Sequence, residues 1–152
     1  MTRAEILANR RKWIARLKRR TTMKYQGALE STDNPTHRCC LGHGCNVLKI
    51  KRAVDTRTGV ICYGTGAGAV FGGESAVAPI EFVDAVGLTG NVGIFDTEDR
   101  YEYIMCDGVE IDSLAELNDI TDWTPQQIGE LLENMIEGGE GTPFVPLDHY
   151  PA

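Results

Sequence analysis

The sequence predicts a single α+β domain in which a small antiparallel sheet packs against N- and C-terminal helices. Three observations carry this expectation. Helical apolar spacing is clearest at the two ends, at Ile6, Trp13, Ile14 and Leu17 and again at Ile128, Leu131, Leu132, Met135 and Ile136. Short β-rich runs lie between them, within residues 59–111. The 152 residues, 42% of them hydrophobic, suffice for one core and show no internal repeat or domain boundary. The domain is expected over residues 1–137, with 138–152 as an extended tail.

Thr2-Arg3-Ala4-Glu5 is a capping box, since the Thr2 hydroxyl suits the Glu5 amide and the Glu5 carboxylate reaches back to the helix start. The helix it opens has one apolar stripe, and Trp13 is large enough to anchor a core. Residues 21–38 read as a connector containing Gly27, Asn34 and Pro35, with Tyr25 and Leu29 as anchors. A short helix is expected from about Cys40 to Lys49, its apolar positions being Leu41, Cys45, Val47 and Leu48. Gly42 and Gly44 weaken it but permit close packing.

Val60-Ile61-Cys62-Tyr63 reads as a strand. The glycine-rich run from Gly64 to Gly73 superficially fits a dinucleotide fingerprint. A phosphate site needs a helix N-terminus directly after the glycines, and Gly72-Gly73 interrupts one, so a hairpin or flexible loop is expected. Pro79 suits the first turn of a helix carrying Ile80, Phe82, Val83 and Val86, which Gly87 stops. Asn91 to Phe95 is expected as a short strand. Tyr101 to Cys106 and Val109 to Ile111 flank Asp107-Gly108, a type I′ hairpin signal. Ser113-Leu-Ala-Glu116 is a second capping box, on a short helix ending near Asn118-Asp119. Thr124-Pro125-Gln126-Gln127 opens the last helix with a cap and a first-turn proline.

Charge is segregated. Residues 1–24 carry nine Lys or Arg and one acid, a balance of +8; the other 128 carry six Lys or Arg and 21 acids, a balance of −15, giving the net −7. So acidic a body repels nucleic acid over most of its surface. The basic helix, with Arg10, Arg11, Arg16, Lys18, Arg19 and Arg20, is the candidate binding surface. It suits a phosphate backbone, an acidic partner, or the protein's own acidic C-terminal helix. No apolar run approaches the roughly 18 residues that span a bilayer. The basic N-terminus lacks the apolar core of a signal peptide, so a cytoplasmic location without a membrane is expected. An odd number of cysteines, five, fits free thiols.

The segment His37-Arg38-Cys39-Cys40-Leu41-Gly42-His43-Gly44-Cys45 gathers three of those cysteines and two of the three histidines. It admits three readings. Cys40, His43 and Cys45, with Cys39 and His37 nearby, contribute to a zinc site, although no second close pair completes the usual four ligands. Cys39 or Cys40 at a helix start is a nucleophile assisted by His43, although neither His43 nor His149 is well placed as a base. Or the thiols pack a buried helix face and are inert. Inert packing is the expected state, with no cofactor. The acids Asp96, Glu98, Asp99, Asp107, Glu110, Asp112, Glu116 and Asp119 are expected as solvated turn residues. Asp96-Thr-Glu98-Asp99 lacks the glycine and terminal glutamate of a calcium loop.

Taken together, Trp13-Ile-Ala-Arg-Leu17, Tyr25-Gln26-Gly27, Cys39-Cys40-Leu41-Gly42 with Cys45, Pro79 to Leu88, Ser113-Leu-Ala-Glu-Leu-Asn-Asp119 and the acidic helix at Ile128 resemble a group of small accessory proteins of tailed bacteriophages. Members of that group show W-x-x-x-L, CCLG-x-x-C and SLAELND motifs, and the likeness covers residues 13–137. Here His43-Gly44 replaces the usual apolar pair after CCLG, and Trp123-Thr-Pro-Gln-Gln-Ile128 replaces a phenylalanine-led opening. The resemblance implies a phage origin and a role in the host cytoplasm during infection. The expected function is non-catalytic binding of a host protein or host defence component, a small signalling nucleotide included. The alternative is a cysteine-dependent hydrolase or zinc-stabilised module centred on residues 37–45.

Overall fold

The computed structural model describes residues 1–55, 57–65, 74–95, 104–106 and 109–152. The elements run α1 (Arg3–Lys18), β1 (Met23–Lys24), β2 (His37–Arg38), α2 (Cys40–Val47), β3 (Arg52–Val54), β4 (Ile61–Tyr63), α3 (Ile80–Val86), β5 (Ile104–Cys106), β6 (Val109–Ile111), α4 (Leu114–Ile120) and α5 (Pro125–Asn134), then a 3₁₀ turn at Leu147–His149. The fold is α+β.

The capping chemistry is largely as the sequence implies. Thr2 and Glu5 bond reciprocally at the start of α1, and Thr124 and Gln127 do so at the start of α5, where Pro125 occupies the first turn. Ser113 caps α4 by accepting from the Glu116 amide. The return bond shifts by one residue, because Glu116 Oε2 accepts from the Asp112 amide at 3.1 Å instead of that of Ser113. Helix α3 ends at Gly87, whose left-handed φ of 64° suits glycine.

Helix α1 packs along α5 and against α2 and α3. Its stripe is Ile6, Trp13, Ile14 and Leu17, all buried. Trp13 is the centre of the core. Its ring meets Phe82 of α3 edge-on at 4.9 Å and Phe144 of the tail edge-on at 5.9 Å. Its indole Nε1 donates to the Cys40 carbonyl oxygen at 2.8 Å, so the polar tip is satisfied as well. The two glycines of α2 permit this contact. A Cβ on Gly44 would lie 2.5 Å from the Phe82 ring and 2.9 Å from Trp13 Nε1, and one on Gly42 would overlap the Leu29 carbonyl.

The β structure differs from the expected sheet. The strands form three separate two-stranded ladders among the described residues: β3 with β4 and β5 with β6 antiparallel, β1 with β2 parallel. The connector supplies β1 and β2, a parallel pair whose long intervening loop no hydrophobic alternation signals. Asn91 to Phe95 is a turn followed by an isolated bridge, Ile94 to Ser113, and not a strand. The Asp107-Gly108 turn and most of the glycine-rich run lie outside the described residues.

The tail packs onto the rest of the domain. Phe144 is fully buried and bridges Leu88, the Val145 amide donates to the Gly87 carbonyl, and the Arg3 amide donates to the Pro151 carbonyl at 2.8 Å. The left-handed Gly138, Gly139 and Gly141, followed by the proline-rich stretch, carry the chain back over the ends of α3 and α5.

Candidate functional site

The thiol segment forms the first layer of the interior. Cys39 is the N-cap of α2, and its Sγ accepts from the Gly42 amide at 3.3 Å. Cys40 Sγ lies 3.7 Å from the Leu114 carbonyl oxygen, which takes its weak S–H bond. Cys45 is fully buried. Burial pushes the Cys39 thiol up to about 12 despite its bond from Gly42, and drives Cys40 and Cys45 well above the ordinary thiol value. A helix N-terminus favours thiolate only where water can reach the sulfur, and here desolvation outweighs it.

His43 is 2% exposed. Its Nε2 lies 2.7 Å from the Met23 carbonyl oxygen and donates to it, and its Nδ1 is enclosed without a partner among the described residues. Burial, with Arg38 and Arg16 nearby, lowers its pKa to about 4, so the ring is neutral at neutral pH. His37 sits in β2, just before α2 in the chain, and His149 in the 3₁₀ turn, far from it in the chain. Among the described residues no three His, Cys, Asp or Glu side chains gather as metal ligands. Cys40, His43 and Cys45 share α2, and the bonds made by His43 and Cys40 go to backbone carbonyls. The acids Asp96, Glu98, Asp99 and Asp107 lie outside the described residues.

The six cationic residues of the candidate binding surface divide into three groups. Arg10 departs from the expectation: it is 0% exposed and cannot take part in an open basic face. Its Nε donates to Val86 O, Nη1 to Ile136 O and Nη2 to Val145 O, each at 2.7 Å, and the guanidinium covers the Phe144 ring. It lies at a helical i, i+3 step from Trp13, so the same stripe that buries the indole buries Arg10. Arg16 is half-buried, its Nη1 donating to Asn46 Oδ1 at 2.7 Å, and Lys18 pairs with Glu133 of α5. Arg11, Arg19 and Arg20 are exposed, together with Lys12, and their side chains form no ion pair among the described residues. Beside them a groove of about 490 Å³ runs between α1 and α5, lined by Arg11, Ile14, Ala15, Lys18, Glu133 and Ile136.

One polar cluster is not signalled by the sequence. The Glu30 carboxylate is buried and accepts from the Tyr63 hydroxyl at 2.6 Å, Arg38 Nε at 2.9 Å and Arg52 Nε at 3.1 Å. Burial opposes its ionisation, but the bonds from Arg52, Tyr63 and Arg38 outweigh that and hold it below the usual carboxylate range. The four residues come from a loop and three strands, so no motif spacing joins them.

No family profile, no curated protein and no solved structure matches this chain.

Proposed function

We propose that this chain is a bacteriophage accessory protein that acts by binding, without catalysis, and that the exposed face of α1 docks on an acidic surface of a host protein or host defence component in the host cytoplasm. The observation that carries the reading is the unpaired state, among the described residues, of the exposed cations Arg11, Lys12, Arg19 and Arg20 on a chain of net charge −7. Left on one side of an otherwise acidic molecule, they steer an acidic partner to that side. The adjoining groove adds an apolar floor from Ile14, Ala15 and Ile136, which a purely electrostatic contact lacks. Among the described residues no helix is long and apolar enough to cross a membrane.

The enclosed thiols and the neutral, carbonyl-bound His43 weigh against the alternative of a cysteine hydrolase or a zinc module on Cys39, Cys40, His43 and Cys45. The test is capture from nuclease-treated bacterial host lysate by the intact protein and by the variant Arg11→Ala/Lys12→Ala/Arg19→Ala/Arg20→Ala. A stoichiometric partner held by the first, released by salt and lost with the second supports docking through α1. An identical set of bound proteins on both removes the proposed face.

A further inference from the structure

Strand β3 is the outer edge of its ladder. Its pairing with β4 is unbroken, Arg52 to Tyr63, Ala53 to Cys62 and Val54 to Ile61. The bonds flanking the ladder fix which backbone groups face which way. The Gly64 amide donates to the Lys51 carbonyl at 2.7 Å, and the Asp55 amide donates to the Val60 carbonyl at 2.8 Å. Antiparallel bonding alternates, so Lys51, Ala53 and Asp55 turn their backbone toward β4, and Arg52 and Val54 turn theirs away. Tyr63, opposite Arg52, exchanges both of its backbone bonds with Glu74 on the far side of β4, as that alternation requires. On the β3 side the amides and carbonyls of Arg52 and Val54 have no partner among the described residues, and Arg52, Ala53 and Val54 are all exposed.

This edge is held in place. Ile61 and Tyr63 bury one face of the hairpin, and Arg52 on that face is anchored by Glu30 Oε2 at 3.1 Å. Proteins protect open edges with proline, bulges, covering segments or charge. β3 holds no proline and no bulge. Its charges are of both signs. Lys51 lies just before it and Asp55 just after it, both at positions that share a face with Ala53. Lys51 is exposed and forms no ion pair among the described residues. The Arg57 amide donates to Asp55 Oδ1 at 2.9 Å and holds that carboxyl below the usual carboxylate range, so it is ionised at neutral pH.

We propose that β3 pairs antiparallel with β3 of a second copy of this chain, about a two-fold axis through Ala53. In that register Arg52 of each copy exchanges backbone bonds with Val54 of the other, which satisfies the outward amides and carbonyls of both strands. Lys51 then stands opposite Asp55 of the second copy at both ends of the contact, and Ala53 stands opposite its own counterpart. These are non-hydrogen-bonded pairs, where side chains lie closest, and opposite charges placed so are stabilising. A shift of two residues either way sets Arg52 opposite Arg52 or Lys51 opposite Arg57, pairing like charges. A shift of one turns the donors of one strand away from the acceptors of the other. The contact is therefore self-complementary in one register, as a two-fold dimer demands. It also covers Val54, an exposed apolar side chain, with the aliphatic stem of Arg52 across the pair. One short strand pair is a small contact, so the dimer is weak and forms at high concentration. It uses none of Arg11, Lys12, Arg19 and Arg20, and so stands or fails apart from docking through α1.

The experiment is sedimentation velocity of the full chain over a wide range of concentration. Wild type is expected to pass reversibly from monomer to dimer. Lys51→Glu and Asp55→Lys are each expected to weaken the dimer by about tenfold or more, since each sets like charges opposite one another at both ends. An equimolar mixture of the two variants is expected to recover it, because the glutamate of one copy then faces the lysine of the other. Register is read separately in Cys62→Ser/Cys106→Ser. Ala53→Cys in that background brings together two thiols whose Cα atoms lie about 4.5 Å apart, within disulfide reach, and is expected to link into a dimer under air oxidation. Val54→Cys, which faces Arg52 of the second copy, is expected to link far more slowly. Wild type that stays monomeric at every concentration overturns the proposal and leaves the edge to a strand of another protein. A dimer that both single variants form as well as wild type also overturns it, as does a mixture that recovers nothing. Should Asp55→Lys fail to fold, since Asp55 holds the turn, the cysteine variants decide. Linking confined to Ala53→Cys supports the pairing, and equal linking by Ala53→Cys and Val54→Cys overturns it.

Discussion

The Arg10 guanidinium lies 4.4 Å above the centre of the Phe144 ring, joining the first helix to the C-terminal tail. It is a buried cation with no carboxylate paired to it among the described residues. Its compensation comes from the Val86 and Gly87 carbonyls at the end of α3, where the helix dipole places partial negative charge, from the Ile136 and Val145 carbonyls, and from the ring face. Burial lowers its pKa to about 10, so it stays charged at neutral pH.

Replacing Arg10 is therefore expected to disrupt the fold more than any exposed cation of α1. Arg10→Met leaves several enclosed carbonyls without donors and is expected to cost about 4 kcal/mol. Arg10→Lys is expected to recover only part, because one ammonium cannot reach three separate carbonyls. Urea unfolding followed by circular dichroism measures both. A loss below about 1 kcal/mol in Arg10→Met would contradict a clamping role for Arg10.

Inert thiols imply a labelling pattern. In Cys62→Ser/Cys106→Ser, a thiol-reactive disulfide at neutral pH should label nothing in the native state and three cysteines in denaturant, because Cys39, Cys40 and Cys45 are enclosed and poorly ionised. Rapid native labelling of one equivalent would restore the nucleophile reading.

His43 should make stability depend on acid. Its folded pKa of about 4 lies below its ordinary 6.5, so the unfolded chain binds the proton more readily between those values. Stability is then full above about pH 6.5 and falls as the pH drops toward 4, by about 3 kcal/mol from this residue. In His43→Gln the drop between pH 7 and pH 4.5 should shrink. Parallel acid profiles for the two proteins would refute the assignment.

Asn118 ties the two most distinctive phrases of the sequence together. Its Oδ1 accepts from the Cys40 amide at 3.1 Å and its Nδ2 donates to the Tyr25 carbonyl at 2.8 Å. Asn118→Ala is expected to cost roughly 2 kcal/mol, since it leaves the first amide of α2 enclosed and unpaired. Asn118→Asp should keep the bond from Cys40 and lose the one to Tyr25, and thermal denaturation should place it between wild type and Asn118→Ala.

Gly44→Ala sets two effects against each other. Alanine raises helix propensity by up to about 1 kcal/mol. Its Cβ would also meet Phe82 and Trp13 too closely, and overpacking of a tight core costs roughly 1–3 kcal/mol. Net destabilisation is expected, with a larger loss for Gly42→Ala, whose neighbour is the Leu29 backbone. A melting temperature above wild type would show that the core yields.

The elements that local chemistry governs are legible in the sequence. Caps at Thr2, Ser113 and Thr124, the stop at Gly87 and the apolar stripes of α1 and α5 depend on residues within a few positions of one another, and each is where its spacing places it. The thiol packing is legible for the same reason, since Cys40, Leu41 and Cys45 follow the period of one helix. Pairing across distance is not. Strands β1 and β2 are two residues each and parallel, so neither alternation nor a turn announces them.

Charge shows the division most clearly. That the first helix is basic and the remainder acidic follows from residue counts, which need no coordinates. Which of those cations meet water is a matter of packing. Arg10 and Arg11 are neighbours in the chain, yet a step of about 100° around the helix sends one onto the Phe144 ring and the other to solvent. Glu30 draws its partners from β2, β3 and β4 for the same reason: long side chains are placed by the packing of elements remote in sequence.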